Sequence, residues 1–430
     1  MSRVVQLINM DWLRYFLLFS LGMFCCRCSP ETPQVKFSYS GFQVINVIGE
    51  KARDLFQKLF DQGDIEEWGG NSTHFDVFVP KDKVDEIKTV LNDNKIQFNV
   101  KIEDVQRAID TENPPVEEED EFEGRKGHRM TFNFYHRLAD IYGYLDYLAQ
   151  TYPNFVSVSS MGKSVEGRDI KFIKISSGNP NAKKFWIEGG IHAREWISPA
   201  TTSYIVSELV ENRNKHLQEV DGIDFYVVPV LNPDGYEYTH EGERLWRKNR
   251  SKHHFYCYGT DLNRNWGFHW GGKGTSNQNC RDIYRGRGPF SEPETRAASN
   301  FILNNAQNMK AFISFHSYGQ YILIPYGYDQ NTLPPDFQEL YTGALKMARA
   351  MRSIAGTHYQ AGNSANLLYA ASGGADDWAK GAAHIKYSYT IELRDQGTYG
   401  FTLPASQILD TAKEGLAAVK TLSSLVKQTN

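Results

Sequence analysis

Three apolar runs in this chain each lead into a histidine or a glutamate, and that placement limits the folds open to it. Phe185-Trp186-Ile187 leads through Gly189-Gly190 into Ile191-His192-Ala193-Arg194-Glu195. Ala311-Phe312-Ile313-Ser314-Phe315 is followed by His316, and Tyr387-Ser388-Tyr389-Thr390-Ile391 by Glu392. Short runs rich in aromatic and β-branched residues read as buried strands. Open α/β sheets assemble their sites at the carboxyl ends of strands. Two imidazoles with one carboxylate make a catalytic zinc set whose fourth position is left to water. His192, Glu195 and His316 fit that set for one zinc ion, and the glycine pair lets backbone pass closely beside it. Glu392 supplies the extra carboxylate that such a water needs as its base.

The chain's 430 residues exceed one average domain, so two domains plus processed segments are expected. A net charge of only -4 argues against a nucleic-acid partner, which would demand a basic surface. Arg3 and Arg14 precede the apolar run Tyr15 to Phe24, the layout of a secretory signal. We assign residues 1–28 to it and expect a secreted, extracellular protein. A retained membrane anchor is the other reading, though the run falls short of the ~20 residues a span needs. Cys25, Cys26 and Cys28 lie in or beside this segment, leaving Cys257 and Cys280. One pair in an exported domain is most simply a disulfide, with two free thiols as the alternative.

Residues 31–112 alternate strand and helix. Strands are expected over 42–48, 74–79 and 96–102, and helices over 51–60 and 84–91, giving a small α/β open sandwich. Residues 113–129 read as a linker, with Asn113-Pro114-Pro115, the acidic block Glu117 to Glu121, then Arg125, Lys126 and Arg129. Basic residues in such a stretch suit a trypsin-like protease. Residues 130–430 alternate helices and buried strands, which predicts an α/β domain: a mixed central sheet with helices on both faces. Asn232-Pro233-Asp234-Gly235 reads as a turn after the strand at 225–230.

The motifs His192 to Pro199, Asn232 to Tyr236, Leu245 to Arg250, Asp261 to Trp266, His316-Ser317-Tyr318, Ser372-Gly373-Gly374 and Glu392 to Asp395 occur in one order. Together they resemble the funnelin metallocarboxypeptidases, the pancreatic carboxypeptidase A/B family, from the prosegment to near the C-terminus. The resemblance implies a zinc exopeptidase made as an inactive proenzyme, with residues 31–112 as the inhibitory prosegment. His192, Glu195 and His316 resemble its zinc ligands, and Glu392 the base that deprotonates the zinc-bound water. Arg247 resembles the group that polarises the scissile carbonyl and steadies its oxyanion. Asn263 and Arg264 match the clamp for the substrate's terminal carboxylate, Arg194 a steering residue, and Tyr369 the tyrosine that closes over the bound residue. Cys257 and Cys280 match the family's disulfide, and closing such a loop stabilises by ~3 kcal/mol.

Asp376 falls where the family places the residue at the base of the side-chain pocket, with Ser364 and Gly327 lining the same pocket. Basic-specific members carry aspartate there. A buried carboxylate is costly unless paired, and a substrate lysine or arginine supplies the partner. The resemblance therefore implies a B-type enzyme, closest to carboxypeptidase B in its specificity pocket, acting as a monomer on peptide and protein C-termini. Implied too are activation by a trypsin-like protease and no membrane attachment once the signal is removed. The alternatives are an aromatic, aliphatic or broad preference, and a peptide-binding relative without catalysis. Asn71-Ser72-Thr73 and Asn249-Arg250-Ser251 are glycosylation acceptors, the second expected to stay unmodified because it crowds Arg247.

Overall fold

The structure is a computed structural model that describes residues 36–71, 73–115, 127–254 and 256–429. The leader, the acidic block and the pair Arg125-Lys126 lie outside these residues. Strands β1 (Gln43–Ile48), β2 (Glu66–Gly70), β3 (His74–Val79) and β4 (Gln97–Ile102) form an antiparallel sheet in the order β2-β3-β1-β4. Side chains alternate across a strand, so Ile45, Val47, Phe75 and Val77 point one way. They pack there with Phe56 and Phe60 of α1 (Glu50–Gln62) and Ile87 and Leu91 of α2 (Val84–Asp93). The opposite face holds Val44, Trp68, Phe78 and Ile102, with Val105 of α3 (Val105–Glu112). It is completed by Leu245 and Phe401, from far along the chain.

The remaining strands form one mixed sheet of eight. They are β5 (Val156–Lys163), β6 (Asp169–Ile175), β7 (Lys183–Glu188), β8 (Ile223–Val228), β9 (Met309–His316), β10 (Tyr321–Ile324), β11 (Gln360–Asn363) and β12 (Tyr387–Glu392). Their order is β11-β10-β12-β9-β7-β8-β6-β5, with β12, β9, β7 and β8 mutually parallel. Phe185, Ile187, Ile313, Phe315, Tyr389 and Ile391 point to one face. That face is covered by α4 (Leu138–Thr151), α5 (Ile197–Val210), α9 (Phe337–Ala355) and α12 (Ile408–Lys427). Trp186, Tyr226 and Phe312 point to the other, under α8 (Pro293–Asn304) and α11 (Ala375–Gly381). Shorter helices α6 (Leu217–Val220), α7 (Pro233–Glu241) and α10 (Ser364–Leu367) join these layers.

Two features fix where the site falls. Parallel pairing sets Glu392 beside His316 and Glu188 beside Ser314, so the carboxyl ends of β12, β9 and β7 lie together. Beyond β7 the backbone runs tight against α5. A Cβ on Gly189 would lie 2.9 Å from Ser198 Oγ, and Gly190 adopts φ +62°. The expected turn at Asn232 is instead the start of α7. Asn232 Oδ1 accepts the Gly235 N–H at 3.0 Å and Pro233 occupies the first turn, a combination that opens helices. Cys257 and Cys280 are disulfide-bonded, with Cα atoms 4.9 Å apart.

Candidate active site

His192, Glu195 and His316 come together, all buried, with their ligand atoms within 4.8 Å of one another. His192 Nδ1 lies 2.7 Å from Glu195 Oε1, and His316 Nδ1 lies 3.1 Å from Glu195 Oε2. The two Nδ1 atoms are 3.1 Å apart. Two ring lone pairs at that distance repel unless a proton or a metal cation lies between them. Both imidazoles use Nε2 elsewhere: His192 on Asp261 Oδ1 at 3.1 Å and His316 on Ser314 Oγ at 3.1 Å. Outer partners of this kind turn the other ring nitrogen towards a metal. A nitrogen, nitrogen and oxygen donor set at neutral pH fits zinc.

Glu392 stands beside this group at the end of β12, and burial pushes its carboxyl up to about 8. Arg247 donates Nε and Nη2 to Asp261 Oδ2 at 3.1 and 2.9 Å, and its Nη1 is 3.8 Å from Glu195. Asp261 thus joins His192 to Arg247, and the two hold its carboxyl well below the usual range against the effect of burial. The motif reading did not single out Asp261. The available signal was an acidic residue opening the segment that carries Asn263 and Arg264.

A cavity of about 100 Å³ opens on these groups, and Asn263, Arg264, Tyr369 and Asp376 line it. Asn263 Oδ1 accepts the Ala375 N–H at 2.9 Å, which leaves its amide nitrogen for the cavity. Arg264 spends Nε on Gly274 O and Nη1 on Asn263 O, each at 2.9 Å. Asp376 lies in the first turn of α11 beside Asp377, and the two carboxylates differ. Asp377 accepts the Gly327 N–H at 2.7 Å and the Tyr328 N–H at 3.0 Å. Asp376 faces the cavity, helped by the Asp377 N–H and the Thr390 hydroxyl, and burial raises its carboxyl. Gly327 and Ser364 line the same space.

Arg194 is set apart from this cavity. It is buried against the Phe401 ring, its guanidinium carbon 4.2 Å from the centroid, and paired with Asp282 at 3.0 Å and Glu66 at 3.5 Å. Glu66 belongs to β2, whose Trp68, Gly69 and Gly70 also line the cavity. Trp68 stacks on Phe78 at 4.8 Å and meets Phe401 edge-on at 5.0 Å. Asn249 Nδ2 is buried and already donates to Glu292 and Glu294, so that acceptor amide is occupied structurally.

Residues 141–418 match the zinc carboxypeptidase family, and residues 45–112 match the carboxypeptidase activation peptide. The chain belongs to the zinc carboxypeptidase family. It is 46% identical over 302 residues to carboxypeptidase B of Astacus astacus, covering 70% of this chain and 99% of that protein. It is 38% identical over 401 residues to carboxypeptidase A1 of Sus scrofa, covering 90% of this chain and 94% of that protein. The crystal structure of thrombin activatable fibrinolysis inhibitor superposes with a TM-score of 0.82 at 35% identity, covering 91% of this chain and all of that one. This zinc carboxypeptidase is therefore a metallopeptidase and an exopeptidase, made as a proenzyme that proteolysis activates. Zinc is its cofactor, and His192, Glu195 and His316 are positioned as the metal-binding group.

Proposed function

We propose that this zinc carboxypeptidase releases C-terminal lysine and arginine from peptides. His192, Glu195 and His316 hold the zinc. When bound, zinc supplies Lewis-acid chemistry and lowers the pKa of water. Glu392 takes a proton from the attacking water and returns it to the amine as the C–N bond breaks. Arg247, aimed by Asp261, steadies the negative charge that develops on the carbonyl oxygen. The Asn263 amide and Arg264 grip the terminal carboxylate, Tyr369 closes over the bound residue, and Arg194 steers the approaching chain.

The basic preference rests on Asp376. Its carboxylate is buried in the cavity and is held by the Asp377 N–H and the Thr390 hydroxyl rather than by a lysine or arginine partner. A substrate guanidinium or ammonium supplies that partner, whereas an aromatic side chain leaves the charge desolvated. A relative named carboxypeptidase B agrees, and one named carboxypeptidase A1 makes the test necessary. The experiment measures residue release by the trypsin-treated protein from matched peptides ending in Arg and Phe. Preference for Arg supports the reading, and preference for Phe overturns it while leaving the zinc chemistry standing.

Residues 31–112 act as the inhibitory prosegment and 113–129 as the linker, in this reading. A trypsin-like protease cuts within the Arg125–Arg129 cluster. Met130 is buried directly after Arg129, which favours the earlier part of that cluster. The leader over 1–28 supports export, and we take the secreted enzyme to act as a monomer. No helix among the described residues is long and apolar enough to cross a membrane.

A further inference from the structure

Glu188 ends β7 fully buried, on the sheet face that carries the site, and no role above uses it. The parallel register sets it beside Ser314 of β9, and Ser314 lies two residues before His316 on the same face. Ser314 Oγ is 3.0 Å from Glu188 Oε1 and 3.1 Å from His316 Nε2. Trp186 Nε1 donates to Glu188 Oε2 at 2.8 Å.

With Glu188 ionised, the donors and acceptors admit one consistent order. A carboxylate only accepts, and an indole N–H only donates, so Trp186 satisfies Oε2. The single Ser314 proton then goes to Oε1. The Ser314 oxygen is left to accept, and the group facing it is His316 Nε2, which must carry the ring proton. His316 Nδ1 is thereby a lone pair, directed at Glu195 and His192. We propose that Glu188, acting through Ser314, is a positioning residue that fixes the tautomer and tilt of His316 for the metal. His192 is fixed directly by Asp261 at 3.1 Å, so each imidazole has its own carboxylate, one in contact and one through a hydroxyl.

Glutamine at 188 cannot replace this order. If its amide oxygen faces Trp186, its NH2 faces Ser314, whose proton then turns to His316 Nε2 and selects the wrong tautomer. If the oxygen faces Ser314, two donors meet at Trp186. The inference rests on His316 being a zinc ligand, so the experiment includes His316→Ala as a separate arm.

Zinc dissociation constants would be measured by chelator competition on the full chain, with the melting temperature of the metal-free protein as the folding control. Glu188→Gln and Ser314→Ala should each weaken zinc binding by about 10–100-fold. The double variant should be no worse than either single one, because both break the same relay. Ser314→Thr, which keeps the hydroxyl, should restore binding. Wild-type affinity in both single variants, or losses that multiply in the double variant, overturns the relay. Should Glu188→Gln fail to fold, the contrast between Ser314→Ala and Ser314→Thr decides alone. Unchanged affinity in His316→Ala would refute the ligand assignment itself, whatever the other variants do.

Discussion

The cavity at the sheet's edge and the surface that closes it are built by different means. Inside, charged groups are tied to neighbours fixed by strand register or by short segments of the same layer. Examples are Glu392 beside His316 and Asp261 holding both His192 and Arg247. Across the activation-peptide surface, few strong contacts join distant parts of the chain. Arg244 pairs with Glu112 through Nε and Nη2 at 2.6 and 2.7 Å, both side chains buried. Tyr318 OH donates to Asp76 at 2.9 Å, and Lys101 to Gln396 O at 2.8 Å. The activation peptide also keeps its own apolar core on the other face of its sheet. The difference separates permanence from release. The site's framework lies within the larger sheet, so it should survive loss of the peptide. The peptide should leave as a folded unit, since what it surrenders is one aromatic face and a handful of polar contacts.

Metal removal should divide the two regions most completely. Stripping zinc should abolish hydrolysis by the trypsin-treated protein while leaving the activation peptide docked in the uncleaved chain, since its contacts with Arg194, Arg244, Tyr318 and Gln396 involve no zinc ligand. Residual peptidase activity after exhaustive chelation, or faster hydrogen exchange over residues 36–112, would contradict this division. Glu392→Gln should come next, lowering kcat by about 100–10,000-fold through loss of the proton acceptor. Its metal content and its hydrogen-exchange pattern should match the parent protein.

Glu112→Ala attacks the other region. It leaves Arg244 charged and buried without its carboxylate, a loss of about 3–5 kcal/mol for a pair of this kind. Docking should weaken accordingly, measured as activity gained by the uncleaved chain. After cleavage the same variant should show unchanged kcat and KM, because Glu112 departs with the peptide. Altered constants in the cleaved enzyme would mean that Glu112 also shapes the site, and the comparison above would fail.

How much of this was legible beforehand follows the same division. The three apolar runs that lead to His192, His316 and Glu392 are rich in aromatic and β-branched residues and form central strands of the large sheet, where composition and burial agree. β2 was silent because Glu66-Glu67-Trp68-Gly69-Gly70 has no alternation, and its strand form comes from pairing with β3. Yet that segment lines the cavity. Glu188 and Ser314 were equally silent, since a polar residue inside a strand carries no mark of which neighbour the register will give it. Arg194 stood in a readable motif, but its covering by Glu66 and Phe401 depends on residues far away in sequence. Motifs report groups held locally, whereas contacts made by register or by docking appear only with the fold.

The smallest expected effect tests the pocket rather than the framework. Burial raises the Asp376 carboxyl, so it stays protonated to higher pH than an exposed aspartate. A substrate arginine remains charged throughout, and only ionised Asp376 attracts it. As pH rises through that raised pKa, binding of Arg-ended peptides should therefore strengthen, and as pH falls it should be lost. A Phe-ended peptide shares the metal, Glu392, Arg247 and the carboxylate clamp, so their titrations cancel in the ratio of the two kcat/KM values. That ratio should climb with pH by up to about tenfold per unit, one proton's worth, and flatten above the pKa. Asp376→Asn should remove the slope while the Phe-ended substrate keeps its own profile. A flat ratio in the parent enzyme would mean that the carboxylate does not meet the substrate side chain, and the pocket would then belong to the fixed framework, as Asp377 does.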